Sequence, residues 1–202
     1  MKATELLMQE HRIIEQVLNC LEAMAQQAAS EKILDEERAF QAIDFFRNFA
    51  DKCHHGKEEG HLFPALEARG FARDGGPTGV MFYEHDQGRN FVKNMFESTP
   101  EAAKGNEDAL DNFVRNAEGY IHLLREHIQK EDHCLFPMAD EALDEKACAD
   151  MMNSFTHVEE KEIGEGVHES YIALANTLAT HYNVSIVKEA QDSSCGCGCN
   201  HN

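Results

Sequence analysis

The sequence predicts an all-α protein, an antiparallel up-and-down four-helix bundle with one or two extra C-terminal helices. Three observations lead there: apolar residues recur at steps of three and four through four long segments, clusters of Gly, Pro and Ser separate those segments, and no stretch alternates convincingly as a strand does. Thr4 is placed to cap a first helix whose inner stripe runs Leu7, His11, Ile14, Leu18, Leu21 and Ala25. A second helix from about Glu36 carries Phe40, Ile43, Phe46, Ala50, His54 and Glu58. After a break at Gly70 to Gly79, which contains Gly75-Gly76-Pro77, a third helix presents Met81, His85, Gly88, Val92 and Met95. A second break at Ser98 to Asn106, with Pro100 and Gly105, precedes a fourth helix bearing Leu110, Phe113, Ala117, Tyr120, Leu124, His127 and Glu131. The expected organisation is a bundle over 1–145, a helical extension over 146–187 interrupted near Gly164 and Gly166, and a flexible cysteine-rich tail over 188–202.

A chain of 202 residues, 42% hydrophobic and 27% charged, is expected to form one globular domain with a short appendage. No apolar run approaches the ~18 residues of a membrane span, and the N-terminus lacks the apolar block of a secretory signal. A cytoplasmic protein with no membrane partner is therefore expected. The 18 Lys+Arg against 37 Asp+Glu leave a formal charge of -19, which repels phosphate backbones and argues against a nucleic-acid partner. Twelve histidines among so many carboxylates point instead to cations. The seven cysteines are an odd number and end in Cys195, Cys197 and Cys199, which is not a secreted disulfide framework.

The halves of the chain repeat. His11, His54-x-x-x-Glu58 and Leu62-Phe63-Pro64 are followed by His85, His127-x-x-x-Glu131 and Leu135-Phe136-Pro137, with the last two motifs displaced by 73 positions and the lone histidine by 74. An i to i+4 step turns about 40° and climbs about 6 Å, so each His and its Glu share one helix face. All six lie on apolar stripes, where an unpaired carboxylate costs several kcal/mol. Metal ions remove that cost. Two irons bridged by Glu58 and Glu131, each held by two terminal histidines, would have four protein ligands apiece and open positions for water, an oxo bridge or a small ligand. The order His-x-x-x-Glu differs from the Glu-x-x-His of ferritin-like dimetal bundles.

With Glu10-His11, Cys53-His54, Glu58, Glu84-His85-Asp86 and the two Leu-Phe-Pro triplets, residues 1 to 140 resemble the hemerythrin-like (HHE cation-binding) family. The segment Phe155 to Tyr182, with Gly164-x-Gly166-x-His168, resembles the C-terminal extension of some bacterial members. The resemblance implies a four-helix bundle holding a non-heme, oxo- or hydroxo-bridged di-iron centre. Its ligands would be His11, His54, His85 and His127, with Glu58 and Glu131 bridging. Oxygen-storing members carry a further histidine one turn after the third-helix ligand, where this chain has Arg89, so simple oxygen carriage is not implied. The implied activity is binding of O2, NO or peroxide (H2O2) at open iron positions, in sensing, scavenging or the response to oxidative and nitrosative stress. The alternatives are an iron store or donor for iron-centre repair, with a client or electron-transfer protein as partner, and a peroxide-consuming enzyme.

Oxygen carriers place the second carboxylate five residues after the histidine, here Asp132; that step turns about 140° off the face of a regular helix, which favours Glu131 and leaves Asp132 as the alternative. His122 falls off the stripe beside Glu126, as in a surface pair. His55 and Glu59 flank the motif on another face, either solvated or behind the ligands. His61 and Cys134, each seven residues after a motif histidine, line the bundle face as packing, access or supporting residues. The Cys-Gly-Cys-Gly-Cys tail suits either soft-metal or redox handling or a plain exposed terminus.

Overall fold

The computed structural model describes residues 2–187, and all the regular structure among them is helical. The cysteine tail, with Cys195, Cys197 and Cys199, lies outside the described residues. Helix α1 (Ala3–Glu31) starts one residue before the expected cap. Glu5 accepts from the Lys2 N–H at 2.8 Å, while Thr4 is buried and donates its hydroxyl to Asp140 at 2.7 Å. A tertiary partner thus takes Thr4 away from capping. Helix α2 (Glu36–Phe45) is capped by Asp35, whose carboxylate accepts from Arg38 N–H at 3.0 Å.

Beyond α2 the chain winds as π-helix over Phe46–His55 and again over Glu58–Leu62 before α3 (Phe63–Glu67). Helix α4 (Pro77–Ala103) carries Pro77 in its first turn, where the missing N–H has no helical partner to lose. It does not stop at Ser98. The Ser98 and Thr99 hydroxyls donate to the Asn94 and Met95 carbonyls one turn back, at 2.8 and 2.7 Å, and the helix runs through Pro100 almost to Gly105, whose φ of 87° marks the turn. Helix α5 (Glu107–Lys130), capped by Asn106, passes directly into π-helical Glu131–Leu135 and α6 (Phe136–Ala142). Two more helices, α7 (Glu145–His157) and α8 (Val167–His181), are joined by π-helical Val158–Gly164, with Gly164 and Gly166 both at positive φ. No helix among the described residues is long and apolar enough to cross a membrane.

Two apolar clusters organise the interior. The larger is built around Leu21, Phe45, Phe46, Phe49 and Phe113, and reaches α8 through Leu178. The smaller contains Leu7, Met81, Phe155 and both repeated pairs, Leu62-Phe63 and Leu135-Phe136. Along each of the four long helices the motif residues fall between stretches belonging to the two clusters, which places polar groups in the middle of the protein.

The loop before α4 closes tightly on its first turn: a Cβ on Gly79 would lie 2.0 Å from the Arg73 carbonyl oxygen. Gly79→Ala is expected to cost about 1–3 kcal/mol, read from the urea midpoint of metal-free protein. Gly60, whose Cβ would meet nothing, is expected to accept Ala with no loss.

Candidate metal centre

Each long helix turns one imidazole inward, and the second and fourth add a carboxylate. His11, His54, Glu58, His85, His127 and Glu131 are all at most 1% exposed. Glu131 stands between two histidines, with Oε2 3.2 Å from both His11 Nε2 and His127 Nε2. Glu58 spans the other two, 3.5 Å from His54 Nε2 through Oε1 and 3.5 Å from His85 Nε2 through Oε2. The His85 and His127 Nε2 atoms face each other at 3.1 Å. Phe136 stacks on His11 at 5.4 Å and Phe63 on His85 at 5.8 Å between ring centroids, so the repeated Leu-Phe-Pro triplets wall the centre.

The Nδ1 sides of the four rings are occupied. His11 meets Asp132 at 2.7 Å, His54 meets Glu10 at 2.9 Å, His85 meets Glu59 at 2.7 Å and His127 meets Glu84 at 2.9 Å. A carboxylate there receives an Nδ1–H, which leaves the Nε2 lone pair facing inward. Each of these carboxylates has a cation behind it: Arg12 on Asp132, Lys57 on Glu10, Arg89 on Glu59 and Lys130 on Glu84. Lys57 is fully buried and also pairs with Glu159, while His168 reaches Glu10 at 3.2 Å, so the segment after the repeat is tied to the same network.

On the inner side there are no such partners. His11 Nε2, His54 Nε2 and all four oxygens of Glu58 and Glu131 are buried without a hydrogen bond. Six orphaned donor atoms aimed at one place are the arrangement that cations satisfy, and imidazole with carboxylate is the donor set for iron and similar metals. Two sets of ligating atoms, each within 4.8 Å of one another, meet at Glu58: His11, His54, Glu58 and Glu131 on one side, and His55, Glu58, His85 and His127 on the other.

Several expectations change on this geometry. His55 is buried rather than solvated, stacked on His85 at 3.7 Å between centroids and 12° between planes. Asp132 faces the outer nitrogen of His11, away from the convergence point. Cys134 is exposed and so does not line the bundle face, while His61 is half-buried with its ring 6.2 Å from that of Phe155. The reason is the π-helical winding of Glu58–Leu62 and Glu131–Leu135, which shifts every later residue off the α-helical register. His122 and Glu126 are both exposed, as a surface position requires. Glu59 takes the second of its two expected places, behind a ligand. The repeat also carried a signal for the other supporting groups: Glu10 and Glu84, Glu59 and Asp132, and Lys57 and Lys130 obey the same displacement as the motifs.

Burial and the adjacent Glu131 carboxylate hold Glu58 well above the usual carboxylate range. Burial would raise Glu131 as well, but the charge of His127 and the His11 imidazole outweigh it and keep Glu131 well below that range. Burial pushes His54 down to about 3, whereas in His127 the Glu131 charge overcomes burial and lifts the ring to about 9. Metal needs a neutral imidazole and an ionised carboxylate, so the protons on Glu58 and His127 must leave when it binds. Affinity for cobalt(II) or zinc(II) is therefore expected to rise as pH climbs toward about 9, with proton release visible by calorimetry in buffers of different ionisation heat. A pH-independent Kd would contradict this charge state. Glu84→Ala strips His127 of its outer acceptor and is expected to weaken metal binding about 10–100-fold.

A family model described as the hemerythrin HHE cation binding domain matches residues 2–139. Uncharacterized proteins of Mycobacterium bovis and Mycobacterium tuberculosis are 25% identical to the chain over 170 residues, which is 84% of this chain. The chain spans 66% of the length of these relatives. No solved structure matches. A family match over most of the chain, embracing every one of the six converging side chains, makes this protein a member of the hemerythrin HHE cation binding domain family, and a metal-binding one.

Proposed function

We propose that the chain holds two iron ions between His11, His54, His85 and His127, bridged by Glu58 and Glu131, and binds O2, NO or peroxide there in sensing, scavenging or the response to oxidative and nitrosative stress. The six orphaned inner atoms carry this reading. An antiparallel four-helix bundle around them accounts for the alternation of the apolar clusters: α1 and α4 pass from the smaller cluster to the larger, and the second and fourth long helices return.

Bound irons would supply the reversible ligation of a small molecule and the electrons to reduce it. The protein residues supply charge, orientation and access. Because each outer carboxylate already faces a Lys or Arg, only Glu58 and Glu131 remain to offset the charge of two ions. The surplus is positive, which favours ligands that become anionic as they accept electrons. A cavity of about 140 Å³ is lined by His55 and His85 together with Arg47, Asp51, Arg89 and Lys93. Its volume is enough for a diatomic molecule or peroxide, and its lining holds three cations to one acid in a chain whose formal net charge is -19. The buried Phe63 and Phe136 rings stack on His85 and His11.

Ferrous protein prepared without oxygen and exposed separately to O2, NO and H2O2 tests this directly. A reversible optical change with any of the three, at constant iron content, is the expected outcome. Sustained consumption of peroxide would make the protein an enzyme, and rapid transfer of iron to an acceptor would make it a donor. Protein from iron-replete cells that retains no transition metal would end the di-iron reading.

A further inference from the structure

We propose that His55 is a fifth imidazole ligand, bound to the same ion as His85 and His127. The assignment rests on the dimetal reading above and concerns which atoms complete it. One ring nitrogen of His55 lies within 4.8 Å of ligating atoms of Glu58, His85 and His127. The ring is 4% exposed, stacks on His85 and stands 5.9 Å from His127 between centroids.

His55 is also built like the other four. Its Nδ1 faces a carboxylate, Asp51, at 3.4 Å, just as theirs face Asp132, Glu10, Glu59 and Glu84. A cation stands behind this acid too. Arg89 donates Nε–H to Asp51 at 2.9 Å and an NH2 hydrogen to Glu59 at 2.7 Å, so one guanidinium clamps the acids that orient both His55 and His85. Arg89, which stands where oxygen-storing members carry a further histidine, thus secures an imidazole of another helix.

Backbone geometry explains how neighbours His54 and His55 can both face inward. In an α-helix successive side chains diverge by about 100°, and i,i+1 residues do not share a face. Phe46–His55 is π-helical, and its wider turn narrows that angle, so the two rings straddle the centre, one toward each ion. The second half of the repeat has no such stretch before its motif. There α5 stays α-helical through Lys130, and the residue 73 positions after His55 is Ile128, buried in the larger apolar cluster. The halves part company in backbone and in side chain at the same place. One ion then has three histidines and the other two, and the ion with three borders the cavity.

The decisive measurement uses unsubstituted full-length protein loaded with cobalt(II), its histidine rings labelled with nitrogen-15. In water, each imidazole that binds through one nitrogen and keeps a proton on the other gives one hyperfine-shifted N–H resonance. Five are expected. Four would overturn the role of His55 and leave the dimetal centre standing, whereas protein that takes up no cobalt would overturn both. As a second readout, iron-loaded His55→Gln is expected to lose one of its two irons to a chelator about 10-fold faster than the unsubstituted chain, with added imidazole slowing that loss. Release at the unsubstituted rate from both sites would refute the assignment.

Discussion

The structure depends on a charge problem at its centre. Two carboxylates and four imidazoles occupy the middle of four helices where apolar side chains would otherwise meet, and the inner atoms of both carboxylates and of His11 and His54 have no hydrogen-bond partner. Without ions the fold must hold Glu58 protonated against its usual preference. With them, the same atoms become bonds between helices that are far apart in sequence. Metal affinity and helix packing are in this sense one free energy, and an apolar cluster lies on either side of the site.

Around that centre the protein spends its charged residues in pairs. Four acids fix the outer nitrogens of four histidines, and four cations neutralise those acids. The pairing gives each Nδ1–H an acceptor while adding little net charge, which leaves Glu58 and Glu131 as the carboxylates facing the convergence point. Lys57 shows how far this extends. It is completely buried, which only the double partnership with Glu10 and Glu159 makes tolerable, and Glu159 belongs to the segment that follows the repeat. The later helices are therefore electrostatically joined to His54 through Glu10.

The duplication is close to twofold in its motifs and departs from that symmetry where access occurs. Arg12 follows His11 directly, whereas Arg89 sits a turn beyond His85 and faces both Asp51 and Glu59. A π-helical run before one motif and a regular α-helix before the other let His55 turn inward while Ile128 packs in the core. These differences make one side of the centre richer in nitrogen, the side whose His55 and His85 line the cavity.

The helical class, the helix starts near Glu36 and after Asn106 and the six side chains that converge were legible in the chain itself, because periodicity of apolar residues and repetition of His-x-x-x-Glu are written in one dimension. The supporting acids were legible only in principle: Glu10 and Glu84 repeat with the histidines, yet nothing in their spacing says that each reaches across to His54 or His127 on another helix. Thr4, Cys134 and His55 needed the tertiary structure. Thr4 met Asp140, and the π-helical turns moved Cys134 outward and His55 inward, since winding that departs from 3.6 residues per turn is decided by what the packed helices and buried charges require. Local sequence determined which faces are apolar and which residues can bind metal; only the assembled interior decided how those faces rotate against one another, and hence which side chains meet.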